Sequence, residues 1–147
     1  MDTTTHPDHN HTARGAGVVG LGAIALVHLL DLQGKISETP YLGYAYIGLV
    51  IGCVAAAAML IRGNVRTGWL LGGGLAVATL VGYAVNRTIG MPSATEDIGN
   101  WLEPLGLASI FIEACVAAVA AVELLALRSH RAEPTFEVAD DRRPARV

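Results

Sequence analysis

Residues 105–127 read LGLASIFIEACVAAVAAVELLAL, a run whose only ionisable carboxylates are Glu113 and Glu123. A helix of this length covers a hydrocarbon core of about 30 Å at about 1.5 Å per residue. Three further runs, at 16–32, 41–61 and 67–85, are nearly as apolar. The chain as a whole is 52% hydrophobic and only 16% charged, where soluble domains of this size carry about 25% charged residues. Inside lipid every backbone amide must be paired within its own segment, and none of the four runs alternates as a strand would. The sequence therefore predicts an all-α integral membrane protein, a bundle of four transmembrane helices at about those bounds, joined on the outer side by two hairpin loops.

The first run follows a polar stretch containing Arg14 and could be mistaken for a cleavable signal. It ends in HLLDLQGK with no small-residue cleavage pattern, so it reads as a retained anchor. Four crossings place Arg14, Arg62, Arg66, Arg128, Arg131, Arg142, Arg143 and Arg146 on one side and only Lys35 and Arg87 on the other. That asymmetry predicts both termini in the cytoplasm. Residues 1–15 and 128–147 are polar and show no helical periodicity, and they are expected to be disordered cytoplasmic segments flanking the domain 16–127. The dominance of Arg over Lys and of Ala, Gly and Val fits a GC-rich bacterial genome and hence a bacterial plasma membrane.

Two outer stretches share a pattern: Glu38-Thr39-Pro40-Tyr41-Leu42-Gly43 and Glu103-Pro104-Leu105-Gly106. The match is either a trace of duplication or the ordinary chemistry of helix starts, where Pro lacks an amide hydrogen that would be unpaired and acids favour the positive end. At HLLDLQGKISETPYLGYAYIG and GYAVNRTIGMPSATEDIGNWLEPLGLASIFIE the chain resembles small four-helix membrane proteins of GC-rich bacteria. The resemblance covers all four helices and leaves out both tails. It implies that the two stretches form one outer-side unit, and it carries no activity with it.

Small residues recur every fourth position in the second run (Tyr44, Gly48, Gly52, Ala56) and in the third (Gly74, Ala78, Gly82). Such stripes let backbones approach, either within one bundle or against another membrane subunit or a second copy. Trp69 near the inner surface and Tyr41, Tyr83 and Trp101 near the outer one suit interfacial belts. Cys53 and Cys115 are counted to similar depth, which allows a disulfide geometrically, but the favoured reading is two buried thiols serving as small apolar groups.

Glu113 is the residue that asks for an explanation. It lies about 12 Å below the outer end of the fourth helix, counted at 1.5 Å per residue, where a charge facing lipid costs a few kcal/mol or more. It must turn inward and find a partner. His28 on the first helix is the candidate, because side chains lean toward their own helix N-terminus and these two helices run in opposite directions. Asp31, Tyr44, Tyr83, Asn86 and Arg87 share the outer half and could complete a polar cluster. A His–carboxylate pair can relay a proton, orient a polar headgroup or supply part of a metal site. It can also simply fix helix register. Haem ligation by two histidines is not supported, since a single His lies in the apolar runs. His6, His9 and His11 are weak candidates for a metal ion because no acid or cysteine accompanies them at fixed spacing.

No phosphate-cradling loop, nucleophile elbow or zinc motif is present, and Gly72-Gly73-Gly74 lies within an apolar run without the strand–turn–helix context of a nucleotide site. Nucleic-acid binding is set aside, no cofactor is identified, and the bilayer is the first expected partner. Two functions follow as expectations. One is an accessory or assembly subunit of a membrane complex without catalysis of its own. The other is a binding or transport site for a small molecule, metal or proton in the outer half, centred on Glu113 and His28.

Overall fold

A computed structural model describes residues 6–132, with side chains over 11–129. Within them the chain forms four helices, α1 (His6–Glu38), α2 (Pro40–Ile61), α3 (Val65–Thr88) and α4 (Pro104–Ala132). All four are long and apolar enough to cross a membrane, and the described residues contain no strand. The helices run up and down in a ring: α1 packs on α2 and α4, and α3 on α2 and α4. Across the diagonals α1 touches α3, whereas α2 and α4 do not meet. We call the end with the α1–α2 turn and the α3–α4 loop the outer end, and the end with the α2–α3 turn the inner end.

Helix bounds differ from those read off apolarity. The first outer hairpin loop is absent: α1 continues to Glu38 and only Thr39 separates it from α2. Pro40 excludes its predecessor from helical geometry, and Thr39 accordingly sits at φ −144, ψ 81. Nothing before Pro40 forces the helix to stop, and Ser37 Oγ donates back to the carbonyls of Gln33 and Gly34. Apolarity marks the segment that prefers lipid, not the segment that is helical. The same holds at the other end of α1, where residues expected to be an unstructured arm are helical from His6. There Arg14 donates through Nε and Nη2 to the carbonyl of Leu60, at 3.0 and 2.5 Å, and through Nη2 to that of Ile61. These are carbonyls of the last turn of α2, which have no partner within their own helix. Pro40 and Pro104 each open a helix, the position where a missing amide hydrogen costs nothing.

The inner half is closed. Leu21, Ile24, Ala56, Leu60, Trp69, Ala76, Val116 and Ala120 form its core. Trp69, expected in an interfacial belt, is instead fully buried. Gly17 makes room for it: a Cβ there would run into the indole ring. Gly72 likewise lies against Leu21 and Gly73 against Ala120, so α1, α3 and α4 converge at this level. Gly52 seats Leu75, while Gly48 and Gly74 face open space and pack against nothing among the described residues. The packing face of α3 is therefore the Gly72-Gly73 side, one to two residues off the predicted stripe.

The outward faces carry Val19, Leu26, Ile51, Val54, Val77, Val81, Phe111 and Val122, all more than half exposed, while Glu113, Arg87 and His28 are inside at 1%, 5% and 7% exposure. This is the reverse of the distribution in a water-soluble domain.

Candidate functional site

Above the closed inner half the helices part and leave a cavity of about 330 Å³, within the range of small-molecule sites. It occupies the outer half and is lined by all four helices and the α3–α4 segment. Leu49 and Leu75 lie at its lower wall, Val27, Leu42, Ala45 and Ala78 at its apolar sides, and Gly82 contributes bare backbone. Gly82 was expected to pack a helix; here its missing side chain adds space, with the Met91 methyl 3.8 Å from where a Cβ would sit.

The floor is polar. Ser109 Oγ donates to Glu113 Oε1 at 2.7 Å, one turn earlier on α4. His28 Nε2 lies 3.7 Å from the same oxygen. The other ring nitrogen, Nδ1, is 2.9 Å from the Ile24 carbonyl. A carbonyl only accepts, so Nδ1 carries a hydrogen. Nε2 is then either a bare acceptor facing a protonated Glu113 or an N–H facing its carboxylate. In either arrangement the pair carries one proton beyond that on Nδ1, at an ion-pair separation longer than a hydrogen bond.

Higher up, the His28 and Tyr46 rings meet edge to face at 4.7 Å, and Tyr46 donates to Asp31 Oδ2 at 3.3 Å. Near the top Arg87 is held between two acids, with Nη1 2.6 Å from Asp97 Oδ1 and Nη2 on Glu103. Its guanidinium also lies 5.0 Å over the Tyr83 ring. Asn86 Nδ2 donates to Asp97 Oδ2 at 2.9 Å, and Lys35 Nζ is 3.3 Å from that oxygen. Asp97 is partly buried, which alone would raise its pKa, but the hydrogen bonds from Asn86 and Arg87 and the charges of Lys35 and Arg87 prevail and hold it below the usual carboxylate range.

The segment between α3 and α4 carries Asp97 and Glu103 and covers the outer end. Positive φ at Gly90, Ser93 and Gly99 folds it tightly, and it is tied down by Tyr41 Oη donating to Pro92 O at 2.7 Å, Thr39 Oγ1 to Ser93 O at 3.3 Å, and the Gly99 amide to Arg87 O at 2.9 Å. It contacts the α1–α2 turn as well as the ends of α3 and α4, so the two outer stretches do form one unit.

Of the residues singled out in the sequence, Glu113, His28, Asp31, Tyr83, Asn86 and Arg87 all line the cavity. Tyr44 does not: it is 72% exposed on the outside of α2, and Tyr46, two residues on, takes the interior place. A stripe with four-residue spacing advances about 40° per step at 3.6 residues per turn, so Tyr44 and the buried Ala56 cannot share a face. Tyr46, Lys35, Asp97, Glu103, Thr79 and Ser109 are the cavity residues that sequence reasoning missed. Ser109 could have been found, since it lies one turn from Glu113 on the same face. Cys53 is buried, Cys115 is exposed, and both are free. Glu123, the second carboxylate of the fourth run, is 9% exposed in a groove beside Ala13 and Ala16 of α1. His11 is exposed, the side chains of His6 and His9 lie outside the described residues, and among the described residues no group of three His, Cys, Asp or Glu could hold a metal ion.

Compared with known proteins, the chain matches no family model, no curated protein and no solved structure.

Proposed function

We propose that the chain is a multi-pass protein of a bacterial plasma membrane, with both termini cytoplasmic, that binds a small molecule in the outer-half cavity. The observation that carries this reading is the cavity itself. A fully buried carboxylate and an imidazole lie at its floor, apolar walls rise above them, and a charged network surrounds its upper end. A bundle needing only register would collapse this space, because an empty volume forfeits the contacts its lining could make. The apolar exterior supports insertion in lipid, and the basic residues at the inner end support the orientation. A reporter fused at either terminus tests the orientation.

Binding is tested on the purified full chain in mild detergent by calorimetry with three soluble molecules of one shape: choline, 3,3-dimethylbutan-1-ol and 3,3-dimethylbutanoate. Gly82→Leu fills the cavity from α3. Binding by the native chain that this variant loses supports the reading, and indifference to the substitution defeats it.

A second reading, an accessory or assembly subunit, is favoured by a different observation: Gly22, Gly48 and Gly74 lie on the outside of their helices with open space beyond them. Bare backbone of this kind suits a close-packed neighbouring helix. Co-purification of a membrane protein that Gly48→Leu and Gly74→Leu release would support it.

A further inference from the structure

We infer that the occupant of the cavity is a small organic cation, and that it enters in exchange for the proton held by Glu113 and His28; this rests on the cavity being a binding site.

The charges along the wall point this way. Two bases line the cavity, Lys35 and Arg87, against the acids Asp31, Asp97, Glu103 and Glu113. Arg87 is committed to Asp97 and Glu103, and Lys35 to Asp97 and Glu38. Asp31 accepts from the Tyr46 hydroxyl and lies within Coulombic reach of Lys35, with no ion pair of its own among the described residues. With one proton on the Glu113–His28 pair, that pair is neutral and the remaining three acids outnumber the two bases by one. An anion entering would add to an existing negative excess in a poorly screened space, whereas a cation that displaces a proton does not.

The exchange follows from the floor geometry. Facing Glu113 are His28 from α1, the Cys53 thiol from α2, uncharged Thr79 from α3 and Ser109 from its own helix. No cation other than a protonated His28 reaches it. A cation seated above this floor competes with the shared proton for the same carboxylate. Replacing a proton by a monovalent cation leaves the net charge of the cavity as it was. Two buried atoms at the upper wall, Asn86 Oδ1 and Arg87 Nε, have no hydrogen-bond partner. One accepts and the other donates, which suits a cation that also bears a hydroxyl. Tyr83, whose ring already carries the Arg87 guanidinium 5.0 Å from its centre, lines the same space and shows that an aromatic there sits beside a cation.

The three isosteric probes decide the matter, measured by calorimetry between pH 6 and 9 in two buffers of different ionisation enthalpy. Choline should bind at least about tenfold more tightly than the alcohol or the carboxylate, and its affinity should rise by up to about tenfold per pH unit with about one proton released per cation. Glu113→Gln, which keeps the shape and the Ser109 contact, should remove the proton release and weaken choline binding at least about tenfold. Asp31→Asn should weaken choline binding and leave the release intact. Equal or tighter binding of the alcohol or the carboxylate overturns the cation assignment while leaving the cavity a binding site. Choline binding without proton release, or release that persists in Glu113→Gln, overturns the exchange. Failure of all three probes to bind, or binding that Gly82→Leu leaves unchanged, overturns the cation and the site together.

Discussion

Arg14 near the start of α1 reaches across to the last turn of α2 and donates to the carbonyl of Leu60, 46 residues away in sequence, from two of its nitrogens. One side chain thus closes the inner end of a helix pair whose outer end is closed by a turn of a single residue. Replacement by Met keeps the stem and removes the donors. We expect a loss of about 1–3 kcal/mol, because the α2 carbonyls then lose charged donors in a half-buried place. Arg14→Lys should recover only part, since an ammonium lacks the planar fork. Hydrogen exchange at the amides around 58–64 and thermal melts in detergent check both.

Trp69 and Gly17 form the tightest seam between α1 and α3. Gly17→Val should cost about 1–3 kcal/mol by overpacking, read as a lowered melting temperature. Shrinking the ring in Trp69→Phe should offset part of that loss in the double variant. Additive losses would mean that the two residues do not act on one another.

Removal of the Glu113 side chain and its conversion to an amide should separate sharply. Glu113→Ala strands Ser109 and His28 Nε2 and leaves a hole, at a cost of about 2–4 kcal/mol. Glu113→Gln can still accept from Ser109 and offers an amide hydrogen toward His28, so its melting temperature should stay within a few degrees of the native value. An equal loss in both variants would show that charge, and not shape, holds the floor together.

Asp97 supplies the pH dependence of the outer end. Its folded carboxyl titrates below the ordinary value of 3.8, so its contribution is fully present above that value and disappears as pH falls through the lower, folded one. Amides of residues 89–103 should therefore exchange faster once pH drops below about 4, at a pH where the helices still resist exchange. Asp97→Asn should show that faster exchange already at neutral pH, because Arg87 and Lys35 lose a shared partner.

Much of this architecture is legible from the sequence, and the reason is solvent. Four apolar runs predict four helices because lipid leaves the backbone few options, and a carboxylate at Glu113 predicts an interior partner because a bilayer offers it none. His28 was identifiable from depth and helix direction alone. Helix ends were less legible: Glu38 and His6 lie well outside the apolar limits because helical propensity continues into polar sequence until Pro40 or another constraint intervenes. Facing was least legible. Tyr44 and Tyr46 are equally plausible by type, and Gly72, Gly73 and Gly74 are consecutive, so only the packed bundle reveals which of them look inward. The Arg87–Asp97–Glu103 arrangement depends on how the α3–α4 segment folds back, which no periodicity encodes.

The indole of Trp69 has a further consequence for traffic. With that ring lodged against Gly17 in the closed inner half, together with Leu21, Ala56, Leu60 and Ala120, the outer-half chamber ends as a cul-de-sac. On the proposed function, a molecule bound there enters and leaves at the outer end alone. A path through the bundle would require this whole packed core to part, and the Trp69 indole is its largest fully buried side chain.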